Sequence, residues 1–138
     1  MDLKGRSLGL GRVGKLKEPT TLGEFIETVK SGLKVEHVRV VGDLSRPVRK
    51  AAVMGGSGAK YYNSAIFKGA DVLVTGDVDY HTAQDAFLAG IALIDPGHNA
   101  EKIMKEHVAE WMGSKLAEQK YDTAVYASQI DTEPFKFL

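Results

Sequence analysis

The chain has 138 residues, enough for one domain with a real core, in the proportions of an ordinary globular protein. Lysine plus arginine and aspartate plus glutamate each number 18, so the formal charge is zero, which argues against a nucleic-acid protein held by phosphate contacts. Cysteine is absent, which excludes disulfides and thiolate metal sites and leaves His, Asp, Glu or water as metal donors, a set suited to zinc, iron, manganese or magnesium.

Residues 1–19 are rich in glycine and charge and read as an irregular lead-in or an edge strand. Gly9, Gly11 and Gly14 have the Gly-x-Gly-x-x-Gly spacing. No buried strand precedes them and Pro19 interrupts before the next helix, so a dinucleotide site is discounted. Thr21 and Glu24 form a capping box, and Phe25, Ile26, Val29 and Leu33 then recur at helical spacing, with Gly32 near the expected end. His37 to Val41 and Arg49 to Met54 are β-rich runs separated by the turn residues of 42–47, a hairpin or a loop. His37 reads as a strand-end or surface residue.

Gly55, Gly56, Ser57 and Gly58 follow the second run. Such a turn lets backbone approach an anionic or heterocyclic ligand; the alternative is a tight strand-to-helix connection needing positive φ. Tyr62, Ala65, Ile66 and Gly69 give the next helix an apolar, core-facing stripe.

Two apolar runs then stop at polar clusters. Asp71 to Val74, read as the central strand, leads to Thr75, Gly76, Asp77, Asp79 and His81; a helix burying Ala83, Ala86 and Phe87 closes at Gly90. Ile91 to Ile94 leads to Asp95, Gly97, His98 and Glu101. In an open parallel sheet, sites form outside the carboxyl ends of the strands, so both clusters belong to one crevice. One of Asp77 and Asp79 is expected to cap the helix, and His81 is the better candidate for chemistry. His98 and Glu101, three apart on a helix, can face one Zn²⁺, Fe²⁺ or Mn²⁺; a solvated His beside a helix-start Glu is the alternative. A long helix is expected from Glu101 to about Glu118 with Met104, Val108, Trp111, Met112 and Leu116 on its apolar side and His107 solvated or structural. A last strand is expected over Tyr121–Ala127, then an apolar tail, 134–138, that docks on the domain or on another copy. No apolar run approaches the ~20 residues of a membrane span and the first residues lack a signal-peptide pattern, so a cytoplasmic protein is expected.

Gly9–Gly14, Met54–Gly58, Thr75–His81 and Asp95–Glu101 follow one another as they do in the Nif-three-like dinuclear metal-centre proteins, many of them named GTP cyclohydrolase 1 type 2 homologues. The resemblance covers nearly all of the chain, to the closing 131–138. It implies an α/β fold with a mixed, largely parallel sheet flanked by helices, one domain over residues 1–138. The match is to the C-terminal portion of such proteins. Members begin with a further α/β segment whose His-His pair and Asp complete the two-metal site, and some insert a ferredoxin-like domain. Neither is in this sequence, so Met1 is expected to be an internal methionine of a longer protein. By resemblance, His98 and Glu101 match the C-terminal metal ligands, although in some members the Glu lies one residue further on. His81 matches a histidine lining the same cavity. Gly55, Gly56, Ser57 and Asp77 are expected at the cavity. The resemblance further implies two divalent ions per site in intact members and a toroidal homohexamer. The leading expectation is a metal-dependent hydrolase opening a ring of a small nucleotide-like substrate, with His81 as proton carrier or substrate contact. The competing readings are a metal-binding adaptor without turnover and an inert α/β fragment.

Overall fold

The fold is taken from a computed structural model, which describes residues 9–136 together with the backbone of 2–3 and 6–7. Phe137 and Leu138 of the expected apolar tail lie outside the described residues. At the amino end β1 (Asp2–Leu3) and β2 (Arg6–Ser7) form a short antiparallel ladder. The domain proper then runs β3 (Arg12–Thr21), α1 (Leu22–Leu33), β4 (Arg39–Val41), β5 (Pro47–Val53), α2 (Tyr62–Phe67), β6 (Val72–Val74), α3 (Tyr80–Leu88), β7 (Ala92–Asp95) and α4 (Met104–Glu118). One turn of 3₁₀ helix, Ala59–Tyr61, leads into α2, and a longer one, His98–Ile103, leads into α4.

Strands 3 to 7 form one mixed sheet in the order β3-β5-β6-β7-β4. The inner three are parallel, and both edge strands run antiparallel to their neighbours. Such a sheet is buried on both faces, which is why β6, and β7 up to its last residue Asp95, are apolar instead of alternating. Ala51, Val72, Val74, Ala92 and Ile94 pack under Leu22, Phe25, Ile26 and Val29 of α1. Their neighbours Ala52, Leu73 and Leu93 face the opposite side, against Ala59, Ala65 and Ala86 of the α2 and α3 layer.

The capping box forms as expected: the Glu24 N–H donates to Thr21 Oγ1 and the Thr21 N–H to Glu24 Oε2, at 3.3 and 3.0 Å. Helix α1 runs past Gly32 and ends on Lys34 in the left-handed region. The glycine-rich lead-in feeds an edge strand rather than a helix. Pro19, which cannot donate to a ladder, sits where the β3–β5 register shifts between Lys15 and Thr20. The residues between β4 and β5 are a crossing loop rather than a hairpin, because β4 pairs with β7 on the far edge.

Three expectations are corrected. The 121–127 segment is no strand; Tyr121 and Tyr126 stay exposed, and the chain from 121 to 136 runs irregularly, tied by Lys105 Nζ donating to the Ile130 carbonyl and Asn99 Nδ2 to Asp131. β-rich composition makes a strand only where a sheet edge accepts it. Phe87 is exposed rather than buried, since the short α3 buries only the small Ala86 against the sheet. The helix expected from Glu101 begins as 3₁₀, and α4 buries none of its apolar side: Met104, Val108, Trp111 and Met112 are exposed.

Candidate metal centre

Because β5, β6 and β7 are parallel and adjacent, their carboxyl ends open on one side. There Met54–Gly58, Thr75–Asp77 and Pro96–His98 leave the sheet together. Buried Thr75 joins the first two loops: its Oγ1 donates to the Gly56 carbonyl at 2.9 Å and accepts the Gly58 N–H at 2.8 Å. The Gly76 N–H donates to the same Gly56 carbonyl. Gly56 has φ +64, the positive value that the strand-to-helix turn was expected to need.

Asp95, 3 % exposed, joins the second and third loops. Its carboxylate accepts from the Val78 N–H at 3.0 Å and the Gly97 N–H at 2.8 Å, and pairs with the Arg39 guanidinium from β4. Sequence reasoning counted Asp95 in a candidate cluster; it is the clamp beneath the site. Its place directly after the apolar run Ile91–Ile94 was the signal in the sequence.

Of the two aspartates offered for the α3 cap, Asp79 takes it, accepting the Thr82 N–H at 2.9 Å and the Thr82 hydroxyl at 2.6 Å. Those bonds, the hydroxyl's foremost, hold the Asp79 carboxyl below the usual range. Asp77 turns the other way, and its Oδ2 lies 2.7 Å from His98 Nδ1. That hydrogen bond, then the charges of Asp77, Glu101 and Glu133, raise the His98 pKa above the ordinary imidazole value.

Glu101 is one 3₁₀ turn beyond His98, where residues i and i+3 eclipse, so the two stand one above the other. Its carboxylate reaches over the glycine turn: Cβ atoms added at Gly55 and Gly56 would lie 3.5 and 3.6 Å from Glu101 Oε1. The fold thus brings Gly55, Gly56, Asp77, His98 and Glu101 to one rim, with Ser57 exposed at the tip of the turn. A cleft of about 740 Å³ opens beside it, lined by His37, Arg39, Asp77, His98, Glu133 and Lys136 among others. His81 is exposed on the first turn of α3, its ring edge-on to Tyr80, and is not part of that lining. His107 is exposed on α4.

The model of the Duf34/NIF3 (NGG1p interacting factor 3) family matches residues 2–134. The chain belongs to this family. It is 52 % identical over 135 residues to a GTP cyclohydrolase 1 type 2 homolog of Halalkalibacterium halodurans, covering 98 % of this chain and 36 % of that protein. A Bacillus subtilis protein of the same name is 51 % identical over 130 residues, covering 94 % and 35 %. Among solved structures, a Bacillus cereus protein related to NIF3 superposes with a TM-score of 0.93 at 51 % identity, over 100 % of this chain and 38 % of that one. Staphylococcus aureus protein SA1388 follows at 0.89 and 38 %, over 94 % and 42 %. The chain therefore spans little more than a third of the length of the curated relatives it matches.

The donor chemistry present in this NIF3-family chain suits a divalent ion. Its candidate imidazole gives Nδ1 to a carboxylate and leaves Nε2 as the ring's remaining donor atom, the arrangement common to metal-bound histidines. The set is partial. Among the described residues no three His, Asp or Glu side chains converge as a group able to hold a metal, and a catalytic zinc usually takes three protein groups.

Proposed function

We propose that this chain supplies the C-terminal share of a metal-dependent hydrolase centre acting on a nucleotide-like substrate. The observation that carries the reading is the Asp77–His98 pair at the tips of two adjacent parallel strands, with Glu101 one turn away. His98 Nε2 and the Glu101 carboxylate would hold the ion, zinc, iron or manganese, and further groups of the longer protein would complete its coordination. A bound divalent ion supplies a water of lowered pKa, a nucleophile at neutral pH. The rest falls to the chain. Asp95 and Thr75 hold the three loops in register, so that His98 and Glu101 need not be ordered when the ion arrives. The turn of Gly55, Gly56 and Ser57 offers unobstructed backbone beside Glu101 for a flat ring. His37, Arg39 and Lys136, lining the neighbouring cleft, suit the phosphates of a nucleotide. His81 stands at the same end of the sheet as an exposed imidazole available for proton transfer once substrate or another subunit extends the site toward it.

The relatives' shared name, GTP cyclohydrolase 1 type 2 homolog, supports hydrolytic opening of a purine ring as the reaction to test first. The protein is proposed to act in the cytoplasm; no helix among the described residues is long and apolar enough to cross a membrane. A ring of six copies is the proposed assembly, and the exposed apolar side of α4 offers surface for it. That side also favours a second reading, a metal-binding assembly protein without turnover.

The test is metal content and GTP hydrolysis by the purified protein, loaded in turn with zinc, manganese and ferrous iron, beside His98→Ala and Glu101→Ala. The expected result is metal-dependent turnover in the parent, with both variants losing ion and activity while keeping their assembly state. Bound metal and intact assembly with no turnover on GTP or other nucleotides would favour the adaptor. No bound metal in the parent, measured on the longer protein that supplies the remaining donors, would end both readings.

A further inference from the structure

We propose that Asp77 is a positioning residue: it selects the tautomer of His98 that carries its proton on Nδ1 and so keeps Nε2 as the nitrogen open to an ion. What Nε2 then does rests on the metal-centre reading; the tautomer belongs to the metal-free chain.

Three observations place the carboxylate deliberately. Asp77 and His98 come from different strand tips, 21 residues apart, and meet at 2.7 Å. Asp77 has φ +55, in the left-handed region that aspartate is among the few non-glycine residues to adopt readily. Both neighbours are anchored: the Gly76 N–H donates to the Gly56 carbonyl at 3.1 Å and the Val78 N–H to Asp95 Oδ2 at 3.0 Å. These two bonds fix the backbone at 77 and with it the direction of the Cα–Cβ bond, from which the carboxylate reaches His98 Nδ1.

The chemistry follows from what each group can offer. An ionised carboxylate only accepts, so the hydrogen in the bond belongs to Nδ1. In the neutral ring Nε2 then carries the lone pair. An amide of the same shape lifts this constraint. In Asp77→Asn the side chain can donate its NH₂ to Nδ1 as well as accept through Oδ1, so the tautomer protonated on Nε2, which blocks an ion, becomes available. Asparagine tolerates the left-handed region as aspartate does, so the backbone has no reason to change.

The experiment labels histidine with ¹⁵N and records long-range ¹H–¹⁵N correlations of metal-free protein at a pH high enough to leave the ring neutral. Parent, Asp77→Asn and Asp77→Gly are compared. The glycine variant removes the carboxylate and relieves φ, so it remains informative should the amide perturb folding. The parent is expected to hold its proton on Nδ1, and both variants to move it wholly or partly to Nε2. Titration with zinc alone is then expected to give affinity weaker by roughly 10–100-fold in Asp77→Asn. A parent protonated on Nε2, or a tautomer unchanged in both variants, overturns the proposal. A parent that shows the Nδ1 tautomer yet binds no zinc upholds the positioning role and removes the metal centre, so the two failures are told apart.

Discussion

Asp95 shows how much of this site rests on a residue whose carboxylate is already engaged in holding the fold. Its carboxylate is committed to two backbone N–H groups and one guanidinium, each from a different segment. Asp95→Ala would strand the buried Val78 N–H and the half-buried Gly97 N–H and release Arg39, so urea unfolding should show a loss of about 2–4 kcal/mol, more than an exposed ion pair could account for. The same variant should bind zinc less well although no proposed donor has been removed. The division of labour between Asp77 and Asp79 was open in the sequence, because both lie just ahead of the helix and either could cap. Backbone torsion decided it: φ is +55 at Asp77 and −80 at Asp79, and only the latter aims its carboxylate back at the first turn.

Helix ends are where local sequence and local structure agree most closely here. Thr21→Ala removes one half of the capping box and should cost about 1 kcal/mol in a denaturant titration. Asp79 ties the start of α3 to pH. Its folded pKa is depressed, chiefly by the Thr82 hydroxyl, so its contribution is present above the unfolded carboxyl pKa and is lost as pH falls through the folded one. Asp79→Asn should therefore flatten the acid side of the stability–pH curve and leave its neutral part shifted uniformly, a comparison that thermal melts from neutral pH down to about pH 3 will make. Elsewhere in the chain local preference misled. The 121–127 segment has β-forming residues, yet it follows the far end of α4 and pairs with neither sheet edge. His98 and Glu101 were placed three apart on an α-helix; the 3₁₀ turn puts them in closer alignment than an α-helix would.

At the scale of the molecule, the sheet is covered by α1 on one face and by α2 and α3 on the other, and α4 stands outside both layers. Trp111, the chain's sole tryptophan, is 63 % exposed at the middle of an apolar row with Met104, Val108 and Met112. A folded domain rarely leaves such a row bare unless something covers it. Copies that assemble through α4 should shift Trp111 fluorescence to the blue and lose iodide quenching as concentration rises, in step with sedimentation. Trp111→Lys should hold the protein at its lowest assembly state. Emission that stays red and quenchable in a confirmed oligomer would place the interface elsewhere.

Periodicity and punctuation in the sequence were enough to determine helix α1 with its cap, the buried strands β6 and β7, the glycine turn after β5, and the end of the sheet at which polar groups collect. These follow from burial and from chain geometry within a few residues, which a sequence displays directly. Pairing is another matter. That β4 crosses to pair with β7, that Asp77 rather than His81 meets His98, that Glu101 lies over Gly55 and Gly56, and that the apolar side of α4 stays uncovered all depend on contacts between segments distant along the chain. No local preference encodes such a contact; it exists only once three parallel strands bring their ends side by side and Thr75 and Asp95 lock the loops that leave them.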